Sequence, residues 1–312
     1  GQRSSFFATK SILSTVGCAC GPCLSALGLL YVGDVWKPYQ MKMVLIAGCI
    51  MVPIACIPCL FFLEPPATAP PAESAHGASE GAGAGATAQG DGTPEAVAQN
   101  RRCGPVRGRH VPVILAISDL LTCIGAGMTV KFFNLFFIED QRFSPTDICW
   151  LNTAYPLVIA CFMKVTQRIS KPLGRAQSSW LFFTSNVLCL ILLSRVYSLP
   201  LLLAMFLVRG GFANSTYPID RSILMDFTPS SQRGRWNAVE SLTSMTWSGS
   251  AFFGGILADS HDYRYTFLMT AFVYAAGCVA YLPLLWLVPR REASMGDSSA
   301  REVCSVAADG PA

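Results

Sequence analysis

Asp119, Lys131, Arg209, Asp220 and Glu240 are ionisable residues set within or at the ends of long apolar runs. A charge in such surroundings is costly, so it faces a cavity, a pathway or a partner. Asp119 and Lys131 are twelve residues apart, about 18 Å along a helix, and do not pair directly. Gly127, Lys131 and Asn134 share one helical face at i, i+4, i+7 spacing. Gly125 and Gly127 are expected to bend the helix between the two charges. Further on, Arg209, Ala213, Thr216 and Asp220 share a face, with Asn214, Tyr217 and Arg221 beside it. Glu240, Ser244 and Trp247 form a third stripe. These types suit the binding of a polar or anionic solute by Lys131, Asn134, Arg209, Asn214 and Tyr217, with Tyr155 and Trp247 as aromatic walls. Asp119, Asp220 and Glu240, with Arg221, Arg233 and Arg235, are suited to ion pairs at a gate or in the scaffold. Two further readings stay open: Arg209 as an anchor paired with a carboxylate, and Lys131 reaching an interface on its long stem.

Other arrangements are weaker than they look. Cys20-Gly-Pro-Cys23 spells a redox motif, but that chemistry needs a low-pKa thiolate at a helix N-terminus in a soluble βαβ setting. Here it lies in the middle of an apolar run. Cys56 and Cys59 have no second ligand pair for zinc. The three histidines, His76, His110 and His261, stand outside the apolar runs. The sequence therefore offers no catalytic constellation, metal site or cofactor site. Its glycine-rich stretch has no preceding strand and no following Lys-Ser/Thr, so it is not a nucleotide loop. Nothing points to nucleic acid.

These side chains must be positioned by helices in a bilayer. The chain has 312 residues, 52% hydrophobic and only 13% charged, with a mean hydropathy of +0.43. A soluble domain carries about 25% charge. The apolar blocks are about 20 residues long, the length that crosses a membrane as helix. The expected fold is an all-α polytopic bundle of about eight spans, at 11–33, 42–63, 112–138, 148–167, 178–195, 199–218, 237–258 and 265–288. Residues 64–110 are rich in Gly, Ala, Pro and Ser with no aromatic residue, and should form a disordered linker because they bury too little to offset ordering.

Lys and Arg are distributed unevenly. Sixteen of the 23 fall in the N-terminus, the linker, the loops 164–175 and 221–235, and the tail. Five fall in the alternate loops, and Lys131 and Arg209 stand inside spans. The positive-inside rule puts both termini and the linker in the cytoplasm, and an even number of spans requires the same.

Two spans, a long linker and six spans resemble the major facilitator superfamily, whose two six-helix halves are joined by such a linker. Local motifs carry the resemblance further. Gly17, Gly21 and Pro22 are similar to the family's fifth-helix Gly-x-x-x-Gly-Pro pattern. Gly249, Gly254, Gly255 and Asp259 resemble the end of its eleventh helix, and Gln232-Arg233-Gly234-Arg235 the basic loop before it. Arg168, Gly174 and Arg175 match the basic interhelical loop, but its aspartate is missing. The small residues let helices approach closely.

On that resemblance, residues 1–63 correspond to the last two helices of the N-terminal half. Residues 111–289 correspond to the six-helix C-terminal half, and 290–312 to a disordered cytoplasmic tail. The first four helices are expected to be missing partners from the same protein. The resemblance implies a non-enzymatic secondary transporter in a lipid bilayer, moving a small solute by alternating access. The Gly-Pro pattern is commoner among proton-coupled exporters, which points to proton antiport, with uniport and symport left open. A non-transporting receptor or scaffold relative is the alternative. The sequence names neither the substrate nor the membrane.

Overall fold

The computed structural model describes residues 2–57, 110–228 and 232–290. Residues 64–109 of the expected linker, 291–312 of the expected tail, the end of the second expected span and the side chain of Arg233 lie outside the described residues. Every regular element among the described residues is a helix. In chain order they are α1 (Gln2–Val32), α2 (Pro38–Cys56), α3 (Val111–Thr129), α4 (Phe132–Glu139), α5 (Pro145–Leu173) and α6 (Arg175–Leu193). There follow α7 (Leu199–Asn214), α8 (Tyr217–Phe227), α9 (Arg233–Ser260), α10 (Tyr263–Tyr281) and α11 (Leu284–Leu287).

Among the described residues six segments are long and apolar enough to cross a membrane: Ala8–Val32, Val111–Glu139, Pro145–Leu173, Arg175–Leu193, Leu199–Phe227 and Tyr263–Leu287. The remaining two expected spans are helical as well, as α2 and α9. By contact the chain divides into two units, and α2 lies in the one that runs from Trp36 to Asp91. The other helices form the second unit. In it α1 packs along α5, α3 along both α9 and α10, and α6 along α7 and α10.

The burial is that of a lipid-facing bundle. Leu188, Leu192, Leu201, Phe272, Val279 and Trp286 are exposed, while Ser118, Thr129, Ser178, Ser179 and Asn186 are buried. Phe133, Phe136, Phe137, Phe206, Phe267 and Tyr274 belong to one buried, largely aromatic core. Their rings meet stacked or edge-on, as Phe133 does on Phe267 with centroids 4.6 Å apart.

Local chemistry sets the helix ends. Ser144 caps α5: its Oγ accepts the Asp147 amide at 3.2 Å, and the Ser144 amide donates to the Asp147 carboxylate at 3.1 Å. Gly174, at φ +107, supplies the left-handed turn that separates α5 from α6.

Two spans are interrupted. Pro218 has no N–H for the Asn214 carbonyl, so the ladder breaks at Ser215–Thr216 between α7 and α8. The second break lies at Val130–Lys131, between α3 and α4. This corrects the expected bend at Gly125 and Gly127, which both lie inside the continuous part of α3. Those glycines serve close packing instead. A Cβ on Gly125 would come 2.8 Å from the Tyr274 ring, and one on Gly127 would come 2.0 Å from the Trp247 carbonyl oxygen.

The small-residue motifs divide in the same way. Gly254 lets α9 touch the backbone of α3, where a Cβ would be 2.2 Å from the Met128 oxygen. Gly255 makes ordinary contact with Phe132. Gly17, Gly21 and Gly249 face open space among the described residues. Pro22 lies inside α1.

Candidate functional site

Lys131 stands at the α3–α4 break, where its stem projects from the start of α4. Its ammonium lies 4.8 Å from the centroid of the Trp247 ring on α9, a cation–π distance. Two candidate residues 116 positions apart are thereby joined. Asn134, one turn on, is exposed.

A second pair forms between α5 and α7. The Asn214 amide donates to the Tyr155 hydroxyl at 3.4 Å and to the Gly210 carbonyl at 2.9 Å. Gly210 is what lets Tyr155 lie so close: a Cβ there would stand 2.2 Å from its ring. The Tyr155 ring also stacks on Phe206, with centroids 5.1 Å apart.

Arg209 goes inward from α7 and is 1% exposed. Its Nη2 donates to the Tyr274 hydroxyl of α10 at 3.4 Å, and its guanidinium lies 4.9 Å from the Phe133 ring centroid. Nε and Nη1 have no partner among the described residues. The anticipated carboxylate partner is not found among them.

The acidic candidates gather where α3, α8, α9 and α10 meet. Glu240 pairs with Arg221 through Nη1 and accepts the Tyr217 hydroxyl at 3.0 Å. Arg221 also donates from Nη2 to the Asn237 side chain at 2.9 Å. Asp220 accepts the Tyr281 hydroxyl at 2.7 Å. Asp119 lies within electrostatic reach of Asp220, Glu240 and Arg221. Tyr217 thus sits with these carboxylates rather than beside Lys131. Arg235 is exposed.

Three residues outside the sequence expectation belong to this description. Tyr274 and Tyr281 are the hydroxyl partners of Arg209 and Asp220. Asn186, 1% exposed on α6, has neither amide atom bonded to a described residue. A polar residue in an otherwise apolar run was the signal for each of them. The aspartate missing from the 168–175 loop has a counterpart in space: Arg175 pairs with Asp226 of α8 at 2.5 Å and donates to Ser222 at 3.0 Å.

The arrangement offers cations, hydroxyls and amides on interrupted helices inside a bilayer-crossing bundle. That suits reversible solute binding. No curated protein matches the chain. The family profile of the Major Facilitator Superfamily matches residues 115–308, more than half of the sequence and every helix from α4 to α11. A multi-pass helical membrane bundle with that match belongs to the Major Facilitator Superfamily, a family of membrane transporters.

Proposed function

We propose that this protein is a secondary active transporter that moves a small solute by alternating access, coupled to proton antiport. The observation that carries the reading is the placement of Lys131 and Asn214 beside the two helix breaks, at Val130–Lys131 and Ser215–Thr216. Discontinuous helices put backbone groups and side chains at the disposal of a solute near the midplane. Lys131, Asn134, Tyr155, Asn214 and Trp247 are the residues proposed to meet the solute. Arg221, Glu240, Tyr217, Asp220 and Asp119 form the ion-pair cluster proposed to break and re-form as the site changes its exposure, with Arg233 and Arg235 from the neighbouring basic segment.

In this reading residues 1–63 end one half, 64–110 form a cytoplasmic linker, and 111–289 form the facing half. The packing of α1 along α5 supports it. The sixteen-to-five asymmetry of Lys and Arg supports cytoplasmic termini.

The test uses the full-length protein in liposomes holding a pH-sensitive dye under an imposed pH gradient. A panel of small organic acids, amines and sugars is added outside. At least one should discharge the gradient in a protein-dependent way, and Lys131→Ala should slow that flux. Protein-dependent solute uptake that ignores the gradient would leave uniport. No uptake of any panel member would overturn the transport reading.

A further inference from the structure

Arg209 is the largest fully buried side chain among the described residues. A guanidinium carries five N–H donors in a planar fork and keeps its charge under any accessible condition. Burying it is tolerated when a carboxylate or several acceptors satisfy it. Here one nitrogen reaches a hydroxyl at the long distance of 3.4 Å, and Nε and Nη1 reach nothing among the described residues. Each edge of the fork therefore presents an unused donor.

Asn186 stands at the same level of the bundle. Helices α6 and α7 run antiparallel through the short turn at 194–198, and Phe182 meets Phe212 with centroids 5.3 Å apart. Four residues onward along α6 and three back along α7 lead from that contact to Asn186 and Arg209. Cys189, one turn further along α6, is within electrostatic reach of Arg209. The Asn186 amide is buried with both its nitrogen and its oxygen unpartnered. A cation with two open donors thus stands level with an amide that has another.

We propose that Arg209 and Asn186 form an anion subsite, in which an anionic group of the solute takes one edge of the guanidinium and the Asn186 amide. A carboxylate matches the planar fork in a bidentate manner. Phe133 covers the guanidinium face and belongs to α4, on the far side of the Val130–Lys131 break. A swing of α4 about that break uncovers the cation, and its return seals the anion from water. The subsite rests on the transport reading for its purpose, but not for its existence, since binding is measured without flux.

The test follows thermal unfolding of the purified full-length protein in detergent. The ligands are sodium acetate, lactate, succinate and benzoate, sodium phosphate and chloride, with acetamide and benzamide as uncharged controls. An anion that binds only the folded state raises the unfolding temperature in a saturable way. Wild type should respond to at least one anion and to neither amide. Arg209→Met should lose the response, and Asn186→Leu should weaken it about tenfold. Without added anion, Arg209→Met should unfold no lower than wild type, because it removes an uncompensated charge.

A response to carboxylates above chloride and phosphate assigns the subsite to an organic acid. A response to chloride or phosphate alone assigns it to an inorganic anion. Equal stabilisation by the uncharged amides, an unaltered response in Arg209→Met, or no response to any anion overturns the subsite. Should Arg209→Met fail to fold, Arg209→Lys together with Asn186→Leu decides the matter: an unweakened response in both overturns it. Anion binding without flux would sink the transport reading alone, and flux without Arg209-dependent binding would sink the subsite alone.

Discussion

The carboxylate of Asp34 accepts the backbone N–H of Thr146 at 2.9 Å, across 112 residues of sequence. Thr146 is in the first turn of α5, whose leading amides have no partner within the helix. Asp34, just past the end of α1, therefore caps a helix other than its own and ties the ends of α1 and α5 together. Its charge also suits the positive end of the α5 dipole.

This contact should depend on pH with a definite sign. Partial burial pushes the Asp34 carboxyl up, and the hydrogen bonds from Thr146 and Ser144 pull it down further, leaving it below its ordinary 3.8. A carboxyl lowered in the folded state contributes above its unfolded pKa and loses that contribution as pH falls through the folded one. The α1–α5 tie should thus be intact at neutral pH and fail only in acid, below about 3.8. Asp34→Ala should cost about 1 kcal/mol, as loss of a helix cap does, and should flatten the acid limb of stability. Thermal unfolding of both proteins from about pH 7 down to about pH 2, through the range below the ordinary carboxyl pKa, checks this, and an unchanged acid limb in Asp34→Ala would count against it.

The Arg221–Glu240 pair should act as a unit. Glu240 holds Arg221 and Tyr217 at once, and Arg221 also reaches Asn237. As a partly exposed pair it should add no more than about 1 kcal/mol to stability. Its effect on flux should be larger: Arg221→Glu and Glu240→Arg alone should each slow transport at least about tenfold, or about 1.4 kcal/mol of barrier. The double exchange should recover most of that rate. A double variant no faster than either single one would remove the pair from the gating cluster.

Packing of α9 on α3 should tolerate no added methyl groups. A Cβ on Gly127 or Gly254 would run into backbone atoms of the opposite helix. Gly127→Ala and Gly254→Ala should each destabilise by about 1–3 kcal/mol, the usual cost of overpacking. Gly17→Ala and Gly21→Ala meet nothing among the described residues and should stay within about 0.5 kcal/mol of wild type. Chemical or thermal unfolding separates the two classes. Strong destabilisation by Gly17→Ala would mean that this face packs against chain beyond the described residues.

The Lys131–Trp247 contact should discriminate charge from shape. Lys131→Arg keeps a cation over the ring and should retain most transport, whereas Lys131→Ala and Trp247→Leu should each slow it. The contact itself is worth about 0.5–1 kcal/mol at an exposed site. Similar losses in Lys131→Arg and Lys131→Ala would show that the ammonium itself, not the ring contact, is what the site uses.

Much of the fold was legible in residue order because membrane helices are local objects. A run of about 20 apolar residues must satisfy its own amides in lipid, whatever else the chain does. Hence the all-helical character and the places of most apolar helices follow from the residues themselves, whereas the break at Ser215–Thr216 went unread although Pro218 carries its cause. Gly254 was recognisable as a contact glycine because its neighbours repeat small residues at helical spacing. The break at Val130–Lys131 was misplaced at Gly125 and Gly127, since a glycine that bends a helix and one that admits a neighbour look alike in sequence. Only the presence of Tyr274 and Trp247 against those glycines distinguishes them.

What only the tertiary structure decided is which polar groups meet. Asp34 with Thr146, Arg175 with Asp226 and Arg209 with Tyr274 are pairs set by the register of packed helices far apart in sequence. Helical periodicity states which face a residue occupies, but not which neighbour that face meets or at what height. Asn186 shows the difference most plainly. In sequence it is one amide in an apolar helix, and the antiparallel packing of α6 on α7 is what sets it level with a buried guanidinium.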